Sequence, residues 1–248
     1  MIQLKKILEY SNKTIDISAT IETALCVGAG GSSGSLADKP IVRTAAGKLL
    51  IPASQLKGRL RHECEKIARG LGWQVCQSPN PQTMCPQRAN FPEPEKSQFY
   101  RPDYQVSPDG RYHCLICQVF GNPALPSRLI VDDLVCEQDP ENLPEVLRPG
   151  VTINRRRRVA EDQKLYFLET SPPNAKLEFK GTITWQPQPG LDPDLGKALV
   201  LASLHHINAL GGSKSAGLGW LKWHYQKDDW EIEATDWNQL IPKKIKES

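Results

Sequence analysis

From Thr14 to Glu22 apolar and polar residues alternate without a break: Ile15, Ile17, Ala19 and Ile21 fall on one side, Asp16, Ser18, Thr20 and Glu22 on the other. A side-chain period of two belongs to an extended chain, so this segment is predicted to be a strand with one buried face and one wet face. The pattern returns at Leu177, Phe179, Gly181, Ile183 and Trp185, which predicts a partner strand far along the chain. RLIVDDLV, from Arg128, and Trp220 to Tyr225 read as two further strands. Helical spacing fills two of the gaps. Pro52 and Ser54 are start signals for a helix whose stripe is Leu56, Leu60, Cys64, Ile67 and Leu71, with Lys57, Arg59, Arg61 and Glu63 read as lying off it. Asp194 is read as the cap of a second helix with Leu195, Leu199, Ala202 and His206 on one face, ended by Gly211 and Gly212 as a left-handed cap.

In chain order these elements are strand, helix, strand, strand, helix, strand, the split order of an α+β, ferredoxin-like (RRM-like) βαββαβ core. A single domain over 1–248 is expected, because 248 residues can bury a sizeable core. Two stretches interrupt the pattern. Residues 72–127 are rich in proline, hold four cysteines and show no long periodic run, so they are expected to be an insertion outside the core. Residues 136–174 are expected to be a second insertion. A mobile Gly- and Ser-rich loop is expected over Gly28 to Lys39, and a fraying basic tail at PKKIKES. Four-stranded sheets of this kind often bind RNA through central-strand aromatics interleaved with Gly and Arg, and RLIVDDLV has none.

At 39% hydrophobic and 24% charged residues, the composition is that of an ordered globular chain. No apolar run approaches the ~18 residues of a membrane span. The start, MIQLKKILEY, lacks the apolar stretch of a secretory signal, so a cytoplasmic protein without membrane contact is expected. Lys and Arg number 31 against 28 Asp and Glu, a balance in which the placement of charge decides whether nucleic acid is bound.

The 7 cysteines are odd in number and four of them cluster, which in a reducing compartment points to a metal or to buried thiols. Cys114 and Cys117 have C-x-x-C spacing, and Cys76 and Cys85 complete a tetrahedral thiolate set for structural zinc. Cys76 and Cys85 stand too far apart to form a second knuckle, which leaves His62 or Cys64 able to replace one of them. A thioredoxin-like redox pair is disfavoured because no helix is evident after the C-x-x-C. A catalytic zinc lacks its H-x-E signature.

GGSKSAGLGW carries Gly211, Gly212, Gly217 and Gly219 around Lys214. Such a loop can bring backbone N–H groups and a point charge against a polyanion, and it can equally be a tight turn between helix and strand. The order helix, Gly loop, strand is the reverse of a P-loop, and nucleotide hydrolysis is excluded. The earlier VGAGGSSGS does not fit the dinucleotide fingerprint. That loop closes on Asp38, Lys39 and Pro40, where a carboxylate can accept a proton or hold a hydrated cation beside a phosphodiester, or merely form a turn. Basic residues gather at Lys57, Arg59 and Arg61 on the first helix, whose start suits phosphates, and at Arg155, Arg156, Arg157 and Arg158, which suggest a backbone-reading strand or hairpin. His205 and His206 have no evident nucleophile partner, and the tryptophans are expected to fill core and interface.

Four segments, ADKPIVRTAAGKLLIPASQLKGRLR, CLICQVFGNPALPSRLIVDDL, INRRRRVAEDQKLYFLE and LGGSKSAGLGW, taken in this order resemble the RAMP superfamily of CRISPR-associated proteins, especially the repeated backbone subunits of type III effector complexes. The resemblance implies a ferredoxin-like core that binds CRISPR RNA along a basic groove. It also implies a thumb hairpin that distorts the guide and target duplex, and assembly with neighbouring backbone subunits and other type III subunits. By the same resemblance Asp38 is the loop aspartate that cuts target RNA, an endoribonuclease reaction driven by a ribose 2′-hydroxyl and served by a divalent cation such as Mg2+. Lys57, Arg59 and Arg61 then lie at the helix start that contacts the guide. Gly211, Gly212, Lys214, Gly217 and Gly219 form the family's RNA-binding glycine loop, and the NRRRR stretch from Asn154 to Arg158 lies at the base of the thumb, with Asn154, Arg155 and Arg156 binding RNA. Ala53 and Ala216 depart from the usual glycine and arginine of those motifs. The alternatives are a non-catalytic structural subunit, a precursor-processing enzyme using His62, and a zinc-stabilised RNA-binding module unrelated to CRISPR.

Overall fold

The structure, a computed structural model, describes residues 12–28, 37–87, 95–106, 110–188 and 193–225, together with Trp230 and Leu240. Most of the expected mobile loop and all of the PKKIKES tail lie outside the described residues. The alternating segment is strand β1 (Lys13–Ile21), and its apolar side is buried throughout, from Ile15 at 1% to Ile21 at 1% exposure. Two-residue strand β2 (Leu50–Ile51) precedes helix α1 (Ala53–Gly70). Strands β3 (Gln105–Val106) and β4 (Arg111–Tyr112) and the short helix α2 (Leu115–Phe120) follow within the cysteine-bearing segment. Then come β5 (Leu129–Val131), β6 (Leu134–Cys136), β7 (Val146–Asn154), β8 (Val159–Thr170), β9 (Leu177–Trp185), helix α3 (Pro193–His206) and β10 (Leu221–Tyr225).

The main sheet runs β10-β1-β9-β6-β2, with every pairing antiparallel. β5 also pairs with β9. Val131 lies opposite Ile183 and Val135 opposite Lys180, four steps on one strand against three on the other, so RLIVDDLV is one strand interrupted by a bulge at its two aspartates. The bulge presses on β9 where that strand has no side chain: a Cβ on Gly181 would come within 2.8 Å of Asp133 O. Read fourth, first, third and second, the long strands give an arrangement compatible with a ferredoxin-like fold.

Both long helices pack together on the buried face of the sheet. α1 buries Leu56, Leu60, Glu63, Cys64 and Ala68, which corrects two expectations: Leu71 is 36% exposed beyond the helix end, and Glu63 is fully buried. Glu63 stands three residues after Leu60 and one before Cys64, a position on the apolar stripe itself. α3 ends at His206 and not at the glycines. The chain turns back first, with Leu210 N donating to Gly219 O at 2.9 Å and Leu221 N to Asn208 O at 3.0 Å. Segment 72–127 is not excluded from the core, since Trp73, Phe99, Tyr104, Ile116 and Val119 join the same apolar cluster. Its apolar residues sit on turns, 3-10 helices and the 6-residue α2, each too short to leave a period to read. Trp185 and Trp230 are buried as expected, whereas Trp220 is exposed. Among the described residues no helix is long and apolar enough to cross a membrane.

Burying the Glu63 carboxylate requires compensation. His206 Nδ1 donates to Glu63 Oε2 at 2.8 Å, Arg59 lies 2.8 Å and Lys66 3.3 Å from Oε1, so His206 has a carboxylate partner that sequence reading missed. Burial raises the Glu63 pKa, but the hydrogen bonds from His206 and Lys66 and the charges of Arg59 and Lys66 outweigh it and hold the carboxyl below its ordinary value. A group lowered on folding stabilises above its unfolded pKa and loses that contribution as pH falls through the folded value. Glu63→Gln is therefore expected to cost about 3 kcal/mol at neutral pH. The gap to the native protein should hold down to pH about 4 and close below it. Urea unfolding of both proteins across pH measures this; an equal gap at low pH would contradict the charged clamp.

Candidate nucleic-acid interface and metal centre

The stretch from Ala24 to Gly28, leaving the end of β1, is a cord between two other loops. On one side it holds the glycine loop: Gly212 N donates to Cys26 O at 2.6 Å and Gly219 N to Ala24 O at 2.8 Å. Gly211 has φ +87°, and a Cβ there would stand 2.5 Å from Cys26 O, while a Cβ on Gly219, at φ +72°, would collide with Leu210 O. These glycines are thus required by close backbone approach, with Ser213 in the left-handed region beside them. Lys214 Nζ donates to Gly211 O at 2.9 Å.

On its other side the cord holds the root of the β7–β8 hairpin. Leu25 N donates to Ser171 Oγ and Ser171 N to Leu25 O, both at 2.9 Å. Residues 37–43 fill the space between, with Gly28 bridging Ile41 and Val42 N donating to Val27 O at 2.9 Å. Asp38 lies here, exposed. Its Oδ2 accepts from Phe167 N at 2.7 Å, and Phe167 O accepts from Asp38 N at 3.1 Å and Lys39 N at 3.3 Å. Its other oxygen makes no hydrogen bond among the described residues. Lys39 bridges Leu168, which also pairs with Arg148, so two cations flank one residue beside the aspartate. Burial pushes the Cys26 thiol up, and the Lys39 and Arg148 charges partly counter it. Arg148 escapes sequence reading because it is the single basic residue of its strand and belongs to no run or motif.

The structure separates the basic residues. Arg155 to Arg158 form the turn at the tip of the hairpin, not its base, and all four are exposed. Asn154 shapes this turn: its Oδ1 accepts from Arg156 N at 3.1 Å and Arg157 N at 3.0 Å. On α1, Arg59 is paired with Glu63 and Arg61 with Glu65 at 3.2 Å. Lys57 Nζ donates to Leu129 O at 2.8 Å and Ser127 Oγ at 3.0 Å, and burial, with Arg61 nearby, lowers its pKa. The anion at the start of α1 is the protein's own, because Ala53 N donates to Asp133 Oδ1 at 2.6 Å. The signal for Asp133 was the acidic pair in the middle of an apolar strand.

The cysteines converge as their clustering led us to expect. The Sγ atoms of Cys76, Cys85, Cys114 and Cys117 are buried and lie within 4.8 Å of one another, and the set can hold a metal ion. Cys76 Sγ is 3.5 Å from Cys117 Sγ and 3.6 Å from Cys114 Sγ. Those separations are far above the ~2.05 Å of a disulfide. They are close to the ~3.8 Å edge that a tetrahedron of thiolates has at a Zn–S distance of ~2.3 Å. Hydrogen bonds within the cluster draw the Cys76 and Cys85 pKa values down while those of Cys114 and Cys117 are pushed up, so two of the four are favoured as thiolates before any cation arrives. Cys114 caps α2, so a helix does start within the C-x-x-C, contrary to expectation; it is only 6 residues long and too short for a sequence period. His62 is exposed, and the Cys64 thiol, 3.8 Å from Leu199 O, is pushed up to about 12 by burial; neither joins the set.

The chain is thus a mixed α/β protein with antiparallel sheets, a buried thiolate cluster and two loops gathered at a hairpin root. The family model of the RAMP superfamily matches residues 18–222, and the chain belongs to that superfamily. Membership makes it one of the CRISPR-associated RNA-binding proteins, a group that associates with CRISPR RNA and effector-complex subunits and includes some RNases. No curated protein matches the chain.

Proposed function

We propose that this protein is a CRISPR RNA-binding backbone subunit of a type III effector complex in the cytoplasm, and that it cuts the target RNA paired with the guide. The observation that carries the reading is the meeting of the Asp38 segment, the glycine loop and the hairpin root on the Ala24–Gly28 cord. A hairpin anchored at that point can splay an RNA backbone directly beside the exposed carboxylate. A 2′-oxygen attacks the adjacent phosphorus, the bond to the 5′-oxygen breaks, and a cyclic phosphate and a 5′-hydroxyl result. Asp38 takes the 2′-proton while solvent protonates the leaving 5′-oxygen; the same carboxylate could hold a divalent cation such as Mg2+, which would supply charge stabilisation at the phosphate. One carboxylate with substrate phosphates suffices for a Mg2+ that keeps most of its waters. DNA, lacking the 2′-hydroxyl, is not cut.

The guide backbone is held by Gly211, Gly212, Lys214, Gly217 and Gly219, by Asn154, Arg155 and Arg156 on the hairpin, and by Lys57, Arg59 and Arg61 where their ion pairs yield to phosphate. Residues 136–174 act as the thumb, neighbouring backbone subunits and other type III subunits are the protein partners, and Cys76, Cys85, Cys114 and Cys117 hold structural zinc. Since the helix cations are already paired, the hairpin tip supplies most of the free charge. Reversing Arg155 and Arg156 to Glu is expected to weaken guide binding and to flatten its salt dependence by about 0.7 per lost single-strand contact. Filter binding over a salt series tests this, and an unchanged affinity and slope would place the guide elsewhere. A structural subunit without cleavage is the second reading. The observation in its favour is the bond from Phe167 N to Asp38, which a purely turn-forming aspartate also makes.

A further inference from the structure

We propose that Glu169 is a positioning residue that fixes Asp38 to the hairpin, a role that rests on the reading of Asp38 as the cutting carboxylate. Glu169 follows Phe167 by two residues on β8 and is only 4% exposed. Its Oε2 accepts from Ile41 N at 3.0 Å and its Oε1 from Arg43 Nη2 at 2.9 Å. Its own N donates to Lys39 O at 3.1 Å. Together with the Asp38–Phe167 bonds, these tie residues 38, 39, 41 and 43 to two positions, two residues apart, on one strand.

The choice of residue fits that task. Two donors of different kinds, a backbone amide and a guanidinium, approach separate oxygens, and only an ionised carboxylate accepts both without turning a donor toward one of them. Enclosing a carboxylate is costly unless it is paired, and Arg43 supplies the charge. A surface turn alone needs no such arrangement. Its consequence is that the aspartate cannot shift along the hairpin: wherever the hairpin splays the RNA, the carboxylate arrives in fixed register with it. A misplacement of ~1 Å at a reacting centre can cost ~100-fold in rate.

The experiment uses assembled complexes carrying guide RNA and wild-type, Glu169→Gln, Arg43→Gln or Asp38→Ala chain. It measures single-turnover cleavage at saturating target, target affinity and hydrogen exchange at the Ile41 amide. Glu169→Gln should slow cutting by at least ~10-fold, with target affinity within about twofold. The Ile41 amide should exchange faster. Arg43→Gln, which leaves the carboxylate in place, should show the same pattern more weakly and serves if Glu169→Gln does not assemble. Native cutting rates per bound complex in both variants, with Asp38→Ala inactive, would overturn the positioning role alone. Normal cutting by Asp38→Ala would instead overturn the reading on which it rests. Reduced thermal stability with an unchanged rate would make Glu169 merely structural.

Discussion

Asp38→Ala should abolish target-RNA cutting opposite this subunit while leaving guide and target binding nearly intact. Losing a positioned general base costs roughly 10²- to 10⁴-fold. Binding should survive because the substitution removes a negative charge from a surface that receives a polyanion. The structure adds a complication that the sequence did not show. Asp38 Oδ2 accepts the Phe167 amide, so alanine also removes a hydrogen bond at the hairpin root, worth about 1 kcal/mol. Asp38→Asn separates the two effects, since its amide oxygen still accepts from Phe167 N but neither takes a proton nor holds a cation well. Asn should therefore be as inactive as Ala, with the root of the hairpin intact. Chelating divalent cations should stop the native reaction if the carboxylate works through a metal. The measurement is cleavage of labelled target by complexes bearing each variant, with binding assayed in parallel. Cutting by Asp38→Asn at the native rate would leave Asp38 as a hairpin anchor and favour the structural subunit.

What the sequence disclosed and what it hid follow from the range of the interactions involved. Period-two and period-3.6 patterning located β1, β9, β10 and α1 almost to the residue, because half-buried elements must alternate to bury one face. The glycine spacing marks a tight loop, but the task it implies for Gly211, ending a helix, is not the one that residue performs. Its positive φ serves contact with Cys26 O, a partner 185 positions away, and not the end of α3. Local spacing cannot reveal such a partner. Glu63 was misplaced by its charge: its spacing put it on the stripe, and the His206, Arg59 and Lys66 that make burial tolerable come partly from another helix. Glu169 carried no local signal at all, since its donors lie near residue 41. Lys57 reads as a free cation for the same reason, its acceptor Leu129 O being distant in sequence, whereas the Arg59–Glu63 pair is an i,i+4 contact that helical spacing alone discloses.

The cysteine cluster stands apart, because there a spacing rule did identify a tertiary site, and its removal should have the largest effect on stability. Cys114→Ser is expected to lose the metal and to destabilise the fold by on the order of 5 kcal/mol, or to prevent folding. Cys114 is tied into the set at several points: its Sγ lies 3.6 Å from Cys76 Sγ, its N donates to Cys85 Sγ at 3.3 Å, and it stands at the N-cap position of α2. Among the described residues the segment it closes has only short helices and two-residue strands to order it, yet it contributes Trp73, Phe99 and Tyr104 to the core. Loss of the metal should therefore spread into the main fold. In the variant it would first leave the three remaining sulfurs buried together, Cys76 and Cys85 among them drawn toward the thiolate form, with no cation to offset them. Cys117→Ser should behave alike, whereas Cys26→Ser, at a buried cysteine outside the cluster, should keep its metal. Metal analysis after reducing purification, with thermal unfolding before and after chelation, measures both effects. Zinc near one per chain in the native protein and in Cys26→Ser, but absent in Cys114→Ser, is the expected result. A metal-free native protein as stable as its Cys114→Ser variant would reduce the cluster to four packed thiols.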